Sequence, residues 1–317
     1  MDIDKFNSLK VKWLAFQDEN PKVRIRDAAK KIGVSEAELL STEIDDSASF
    51  LSIISLKDFI KDILLIDKVM FLIRNDIVVH EKIVRSKDVE LIDNQIIFIK
   101  NNNSILLDFN KQLFKYAFFQ KKLHGNKELR SFQFFDASGH SILKIYLKGK
   151  DSLQFDNIAL KYKSKYNYEL QSELHLEFSA VGTTDIAPDL PFSINKSKSV
   201  ARNMPSNSLR LILENASSSK IPIQIHGFGL GAVQYHRDIV RNIVDYGPWI
   251  NVIDRDFNLH VLEQGLSKAV LNQYDFEGKQ YSLIDFFDKN NSHVLGISAV
   301  KEYENDFLSI INKIKEN

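Results

Sequence analysis

The sequence contains no cysteine. That excludes disulfides, thiolate-held zinc, iron–sulfur clusters and a Cys nucleophile in one step, and it suits a reducing compartment. Proline is scarce, with six in 317 residues, and methionine (three) and tryptophan (two) are scarcer. Neither sign of charge is in excess: 42 Lys and Arg stand against 42 Asp and Glu. A general nucleic-acid binder needs surplus cations to displace counterions, so this balance argues against one. Long apolar runs are missing too. Phe50 to Leu72 is broken by Lys57, Asp58, Lys61, Asp62, Asp67 and Lys68, so no membrane span is expected. Met1-Asp2-Ile3-Asp4-Lys5 has no apolar core behind a basic head, so no signal peptide is expected and the cytoplasm is the expected location. What is present is 44% apolar and 26% charged residues, the balance of a folded chain long enough for two domains, or for one domain and its copy.

Residues 1–45 read as helices. An amphipathic stretch through Lys10-Val11-Lys12-Trp13-Leu14-Ala15-Phe16 stops at Asn20-Pro21, because a residue before proline avoids the α region. A second helix fits Arg24 to Lys31 and is stopped by Gly33. A third starts at Ser35, where Ser35-Glu36-Ala37-Glu38 has capping-box spacing. The pair around Gly33 also has helix-turn-helix form. No cluster of base-reading side chains follows Ser35, so packing on a sheet is the better reading than DNA recognition.

Residues 50–165 and 220–316 are β-rich and resemble each other. Asn75 through Val84 lies over Gly231 through Val240 at a shift of 156, which sets His80 over His236. Farther on, Leu107-Asp108 lies over Leu259-His260, and Phe134-Phe135-Asp136 over Phe286-Phe287-Asp288, at a shift of 152. Order, spacing and turn positions agree, which is the mark of an internal duplication. Strands joined by short turns pair antiparallel. The expected fold is therefore α+β: a tandem structural repeat, each half an antiparallel sheet with helices on one face, after an N-terminal helical segment. The expected division is 1–179 for the helices and first repeat, 180–206 for a linker, and 207–317 for the second repeat. Asn110 to Phe119 fits either strand or helix.

Candidate chemistry is sparse. Gly227-Phe228-Gly229-Leu230-Gly231-Ala232 follows an apolar strand and has the spacing of a dinucleotide loop. That loop needs a helix after its glycines, and Val233-Gln234-Tyr235-His236 alternates as a strand, so a hairpin turn is the better reading. The eight histidines include no H-x-x-x-H or H-E-x-x-H pair. His80 and His236, at matching places, suggest a structural role in the sheet. His226 and His260 fall on expected strands of the second repeat, with both rings expected on its concave side. They are the candidates for binding iron or a flat cofactor. No catalytic residue is assigned.

The carrying stretches of a family resemblance are these: Trp13-Leu14 with Asn20-Pro21; Arg26-Asp27-Ala28-Ala29; Arg74-Asn75 through His80-Glu81; Ser131 through Asp136; Trp249-Ile250-Asn251-Val252; and Leu259-His260-Val261-Leu262-Glu263. Together they resemble the bacterial haem-utilisation proteins of the HemS/ChuS, or haemin-degrading, type. The resemblance implies tandem α+β halves, a cytoplasmic location, and haem held in the second half with help from the first. It also implies departures. The family's axial histidine precedes the second repeat, and Asp189 to Pro205 holds no histidine. Asp108 stands where the family has an arginine. Gln273 or Tyr274, and Ser298, stand where it has propionate contacts. Lys301 keeps a positive charge, and His226 takes an aromatic haem-facing position. The implied site is then Tyr274 and Lys301 on haem, with His226 or His260 on the iron.

Two function classes follow. One is a cytoplasmic protein that binds, delivers or degrades haem for iron acquisition, working with a haem transporter or a reductase. The other is a non-enzymatic relative whose cleft takes another flat hydrophobic ligand or a protein partner.

Overall fold

The computed structural model describes residues 3–92, 96–100, 104–165, 200–205, 207–276 and 279–315. Three helices come first: α1 (Ile3–Glu19), α2 (Ile25–Ile32) and α3 (Glu36–Ser41). Gly33 ends α2 in the left-handed region (φ 83°), and its N–H donates to the Ala29 carbonyl. The expected capping box is formed: the Ser35 hydroxyl accepts from the Glu38 N–H, and the Glu38 carboxylate accepts from the Ser35 N–H. Leu9, Trp13, Ala28, Ala29 and Leu39 form the shared core of the three helices.

The first repeat then runs β1 (Ala48–Leu51), α4 (Leu56–Ile63), β2 (Lys68–Arg74), β3 (Val78–Arg85), β4 (Val89–Ile92), β5 (Ile96–Ile99), β6 (Ser104–Phe109), β7 (Tyr116–His124), β8 (Lys127–Phe135), β9 (Ser141–Leu147) and α5 (Ser152–Tyr162). The second runs β10 (Val200–Met204), α6 (Ser208–Ser219), β11 (Ile223–Gly229), β12 (Ala232–Asp238), β13 (Ile243–Tyr246), β14 (Trp249–Ile253), β15 (Phe257–Leu262), β16 (Leu266–Phe276), β17 (Lys279–Asp288), β18 (His293–Ala299) and α7 (Glu304–Lys315). Element follows element in the same order. The ambiguous stretch Asn110 to Phe119 is a 3-10 turn at Lys111–Leu113 followed by the start of β7.

Register carries the duplication to single residues. Phe119 faces Phe132 and Phe132 faces Ile145. Adding 152 gives Leu271 facing Ile284 and Ile284 facing Ile297. The same bulge recurs, at Phe134/Phe135 and at Phe286/Phe287. The central hairpins correct one expectation. Val79 faces His260, whereas Val233 faces Asp108. Because Asp108 and His260 are counterparts, Val79 matches Val233, and His80 matches Gln234 rather than His236. A slip of two residues preserves the in–out alternation of a strand, so the apolar pattern cannot reveal it.

Two compact units emerge. One holds residues 1–70, 85–87 and 110–184; the other holds 71–84, 88–109 and 185–317. These boundaries follow space, whereas the expected division follows the repeat. Of the expected linker 180–206, residues up to 199, and Ser206, lie outside the described residues, and 200–204 form β10.

In the first unit the antiparallel strands run β1-β7-β8-β9. One face buries Phe59, Phe132, Phe134 and Phe155, with Phe59 edge-on to Phe132 and Phe134 at 5.0 and 5.3 Å. The other face buries Phe118 and Phe135 with Ala37 and Leu40 of α3. In the second unit the strands run β3-β15-β14-β13 in one series and β10-β16-β17-β18-β11-β12-β6-β5-β4 in another. Its core joins Leu209, Ile212 and Leu213 of α6 and Phe307, Ile310 and Ile311 of α7 to the inward residues of the strands, among them Ile225, Leu271, Ile284 and Ile297.

The glycine-rich stretch is a hairpin. Gly231 turns the chain with φ 76°, and β12 follows it where a dinucleotide loop would need a helix. Gly227 is required for another reason: a Cβ there would sit 2.8 Å from Cβ of His80. His80 and Gln234 meet beside it, with the Gln234 Nε2 2.9 Å from His80 Nδ1 and 3.1 Å from the Phe71 carbonyl. His236 stacks flat on Phe257 at 3.7 Å. Both histidines are buried, and neither ring nitrogen of His236 has a hydrogen-bond partner among the described residues.

Candidate functional site

Alternation on β11 sends Ile223 and Ile225 into the apolar core and Gln224, His226 and Phe228 to the opposite face. Neighbouring strands extend that face. On β12, Tyr235 sits opposite His226, and Val233 opposite Phe228. Asp108 of β6 sits opposite Val233. On β18, Ser298 faces Gln224 and Gly296 faces His226. On β17, Asp285 faces Gly296; on β16, Val270 faces Asp285 and Asn272 faces Leu283. The named residues include two carboxyls, a phenol and an imidazole, and none is a lysine or arginine.

His226 is only 6% exposed. Its Nε2 lies 3.0 Å from the Ser298 hydroxyl and 3.1 Å from the Gln224 amide, while Tyr235 meets its ring edge-on at 5.0 Å. Burial pushes its pKa down to about 4; the Asp285 charge pulls upward and His293 pushes downward. The ring is therefore neutral at pH 7. Burial drives the Tyr235 phenol upward, with the Asp108 charge adding to it. The Tyr235 hydroxyl is buried with no hydrogen-bond partner among the described residues. Burial also raises Asp108, against the Phe109 N–H, which stabilises the carboxylate.

The other expected site residues are dispersed. His260 lies on β15 opposite Asn251, whose Oδ1 is 2.6 Å from its Nδ1. β15 belongs to the series with β3 and β14, not to the one with β11, so the structure does not gather His226 and His260 on one concave face. Pairing order is set by non-local partners, which strand periodicity does not encode. Lys301 is exposed on a 3-10 turn, Lys301–Tyr303, after β18. Gln273 faces Ser282 on β17. Tyr274 lies on β16 opposite Tyr281, and its side chain lies outside the described residues.

Sequence reasoning missed a pair next to His226. His293, at the start of β18, has Nε2 2.8 Å from Oδ1 of Asp285. The Asp285 Oδ2 accepts from the Asn272 amide at 2.6 Å. Phe228 packs against the His293 ring at 3.7 Å and Phe287 at 5.1 Å. One signal was available: an aspartate in the apolar run Leu283-Ile284-Asp285-Phe286-Phe287 is costly to bury unless something pairs with it.

With this geometry in view, the comparisons with known proteins are decisive. A family model described as the haemin-degrading HemS.ChuX domain matches residues 33–162 and 193–309, one stretch per repeat. The chain belongs to this haemin-degrading HemS/ChuX family. Hemin transport protein HemS of Yersinia enterocolitica is 23% identical over 289 residues, covering 83% of each chain. The heme degrading enzyme ChuS of Escherichia coli O157:H7 superposes with a TM-score of 0.82 at 18% identity, over 96% of this chain and 98% of its own. Holo-PhuS, a heme-binding protein from Pseudomonas aeruginosa, gives 0.79 over the same shares. These two likenesses establish the fold. The architecture is α+β with the domain repeated in tandem.

Phe228 and Phe287 supply flat apolar surface beside the His293 imidazole, which suits a porphyrin ring; His293 Nε2 and Asp285 Oδ1, 2.8 Å apart, are both buried without a hydrogen-bond partner among the described residues. His226 itself is engaged at Nε2 and sealed in the sheet, so it would reach iron only by giving up those contacts.

Proposed function

We propose that this HemS/ChuX-family chain handles haem: it binds haem in the cytoplasm and hands it on or delivers it to breakdown for iron acquisition. Family membership over both repeats carries the reading, and the aromatic and imidazole face of β11, β17 and β18 supplies a place for the ligand. When bound, haem would supply the iron and the oxidisable ring. The chain's part is to bind, orient and exclude water. In this reading Lys301 and Tyr274 contact the ligand's carboxylates, His226 backs the face, and His260 lies apart from it. Partners are a transporter that supplies haem and, where the ring is opened, a reductase that supplies electrons. Among the described residues no helix is long and apolar enough to cross a membrane.

Haemin titration followed by absorption tests the proposal. A saturable Soret shift near one haem per chain is expected, and Lys301→Ala should weaken binding. A spectrum that stays that of free haemin would overturn it and leave a family scaffold serving another flat ligand.

A further inference from the structure

We infer that the outer face of α4 and α5, in the first repeat, docks on a membrane surface rich in anionic phospholipid. This goes beyond the haem reading and does not depend on it. The argument begins with four aliphatic side chains that face solvent: Ile54, Leu65, Leu153 and Leu160 are 99, 67, 74 and 68% exposed. The two helices lie on one face of the strands. Phe59 of α4 and Phe155 of α5 both pack on Phe132, at 5.0 and 4.6 Å. Asp62 ties the helices together by accepting from the Lys161 ammonium and the Tyr162 hydroxyl, each at 2.6 Å. Core packing is thus met by the inner sides of α4 and α5, and the exposed aliphatics take no part in it.

The second repeat shows that the fold does not require them. At a shift of 152, Phe155 and Ile158 correspond to Phe307 and Ile310, buried in both copies. Leu153 and Leu160 correspond to Asn305 and Asn312, which are exposed. Likewise α6 ends on Ser217-Ser218-Ser219, where α4 runs on into Leu64-Leu65. A single exposed leucine is ordinary. A group of them on one helical layer, polar in the duplicate, marks a contact surface.

Charge selects what covers it. Lys57, Lys61 and Lys163 are exposed, and none makes an ion pair among the described residues. Within 54–65 and 152–163, Asp58 is the only exposed carboxylate. A second copy of the chain would set these lysines against each other, because a two-fold contact is self-complementary. A protein partner calls for an apolar centre with lysine kept out of it. Here Lys57 and Lys61 stand one turn apart on α4, between Ile54 and Leu65 that flank the helix. A bilayer accepts that mixture: aliphatic tips enter among the acyl chains while lysine stems reach up to the phosphates. No helix of the described residues is long and apolar enough to span, so the contact is one of lying on the surface.

The experiment is sedimentation of the full-length protein with vesicles, one set of phosphatidylglycerol and phosphatidylethanolamine in equal parts, the other of phosphatidylcholine alone. Wild type should pellet with the anionic set and less so as salt is added, and should stay in solution with the neutral set. Lys57→Gln and Lys61→Gln should each weaken binding about 5-fold. Leu153→Asn combined with Leu160→Asn should weaken it about 10-fold and leave the thermal melt unchanged, since both side chains face solvent. Asn305→Ala combined with Asn312→Ala, at the matching places of α7, should bind as wild type. If wild type stays in solution with the anionic vesicles, or pellets equally with both sets, the inference is wrong. It also fails if the leucine replacements leave binding unchanged, or if the α7 replacements weaken it as much. Haemin titration is read separately, so the haem reading can stand or fall without deciding this one.

Discussion

The strands β7, β8 and β9 of the first repeat and β16, β17 and β18 of the second share a register, yet their faces opposite the apolar core are used differently. At a shift of 152, Gln120 corresponds to Asn272, Gln133 to Asp285 and Lys144 to Gly296. In the first repeat this row is closed off by the N-terminal helices. Lys144 pairs with Glu36 of α3. Gln133 donates to Gln120 at 2.9 Å, and Gln120 donates to Glu43 at 2.7 Å. Glu43 also accepts from Trp13, Ser47 and Lys122. Burial pushes its carboxyl up, but these donors outweigh that and hold it below the usual value. In the second repeat the lysine is a glycine and the glutamine is an aspartate, which accepts from Asn272 and lies 2.8 Å from the partly exposed His293 imidazole. One copy ties its polar row to Glu36 and Glu43; the other sets Asp285 beside His293 there. Three side-chain changes in one row thus distinguish the two copies.

The sharpest way to break this comparison is at the first of the paired positions. Lys144→Met removes the ammonium paired with the buried Glu36 carboxylate, and removing one partner of a buried ion pair costs about 3–5 kcal/mol. Gly296→Ala, at the matching place, brings a Cβ to 3.3–3.4 Å from Leu283, Phe228 and His226. It should cost about 1 kcal/mol, at the low end for overpacking. Urea unfolding of both variants measures the contrast. Equal losses would mean that the two rows do the same job.

Next in size is acid sensitivity. His226 has a folded pKa of about 4 and His80 of about 3, each lowered first by burial, and His236 is lowered in the same sense. The unfolded chain takes up these protons below about pH 6.5, while the folded protein refuses them. Stability from these groups is therefore complete above pH 6.5 and falls as pH drops, by about 1.4 kcal/mol per pH unit per histidine, until the folded value is reached. His226→Leu puts there the residue type found at Leu72, its place in the first repeat, and should flatten the fall between about pH 6.5 and about pH 4. Thermal melts across that range check it; an unchanged slope would show that His226 is protonated in the fold.

The smallest expected effect is local. Ser35→Ala removes the cap of α3 and should cost about 1 kcal/mol, leaving the haemin titration as in wild type. A changed titration would tie the helical cap of the first repeat to the chemistry of the second.

Local signals in the sequence were read correctly where the physics is local. Gly33, the Ser35–Glu38 box and the Gly231 turn each act within a few residues, and each appears as expected. The duplication was legible because apolar order repeats along the chain. The pairing of His80 with Gln234 was not, because a two-residue slip leaves every side chain on its own face. His293 and Asp285 were hidden for a related reason. They are eight positions apart, and only the bulge after Phe286 and the return of β18 bring them side by side. His226 and His260 looked like neighbours because both sit on strands of one repeat, whereas their strands pair in different series.

Residues 71–84 and 88–109 belong to the first repeat by descent and to the second unit by packing. In particular β6 hydrogen-bonds along β12. A gene cut at the junction of the two copies would therefore not yield two working halves. A fragment beginning at residue 207 would carry β12 with an open flank, an invitation to pair with other chains and aggregate. Once the second unit had taken up these strands, the copies could diverge but no longer part.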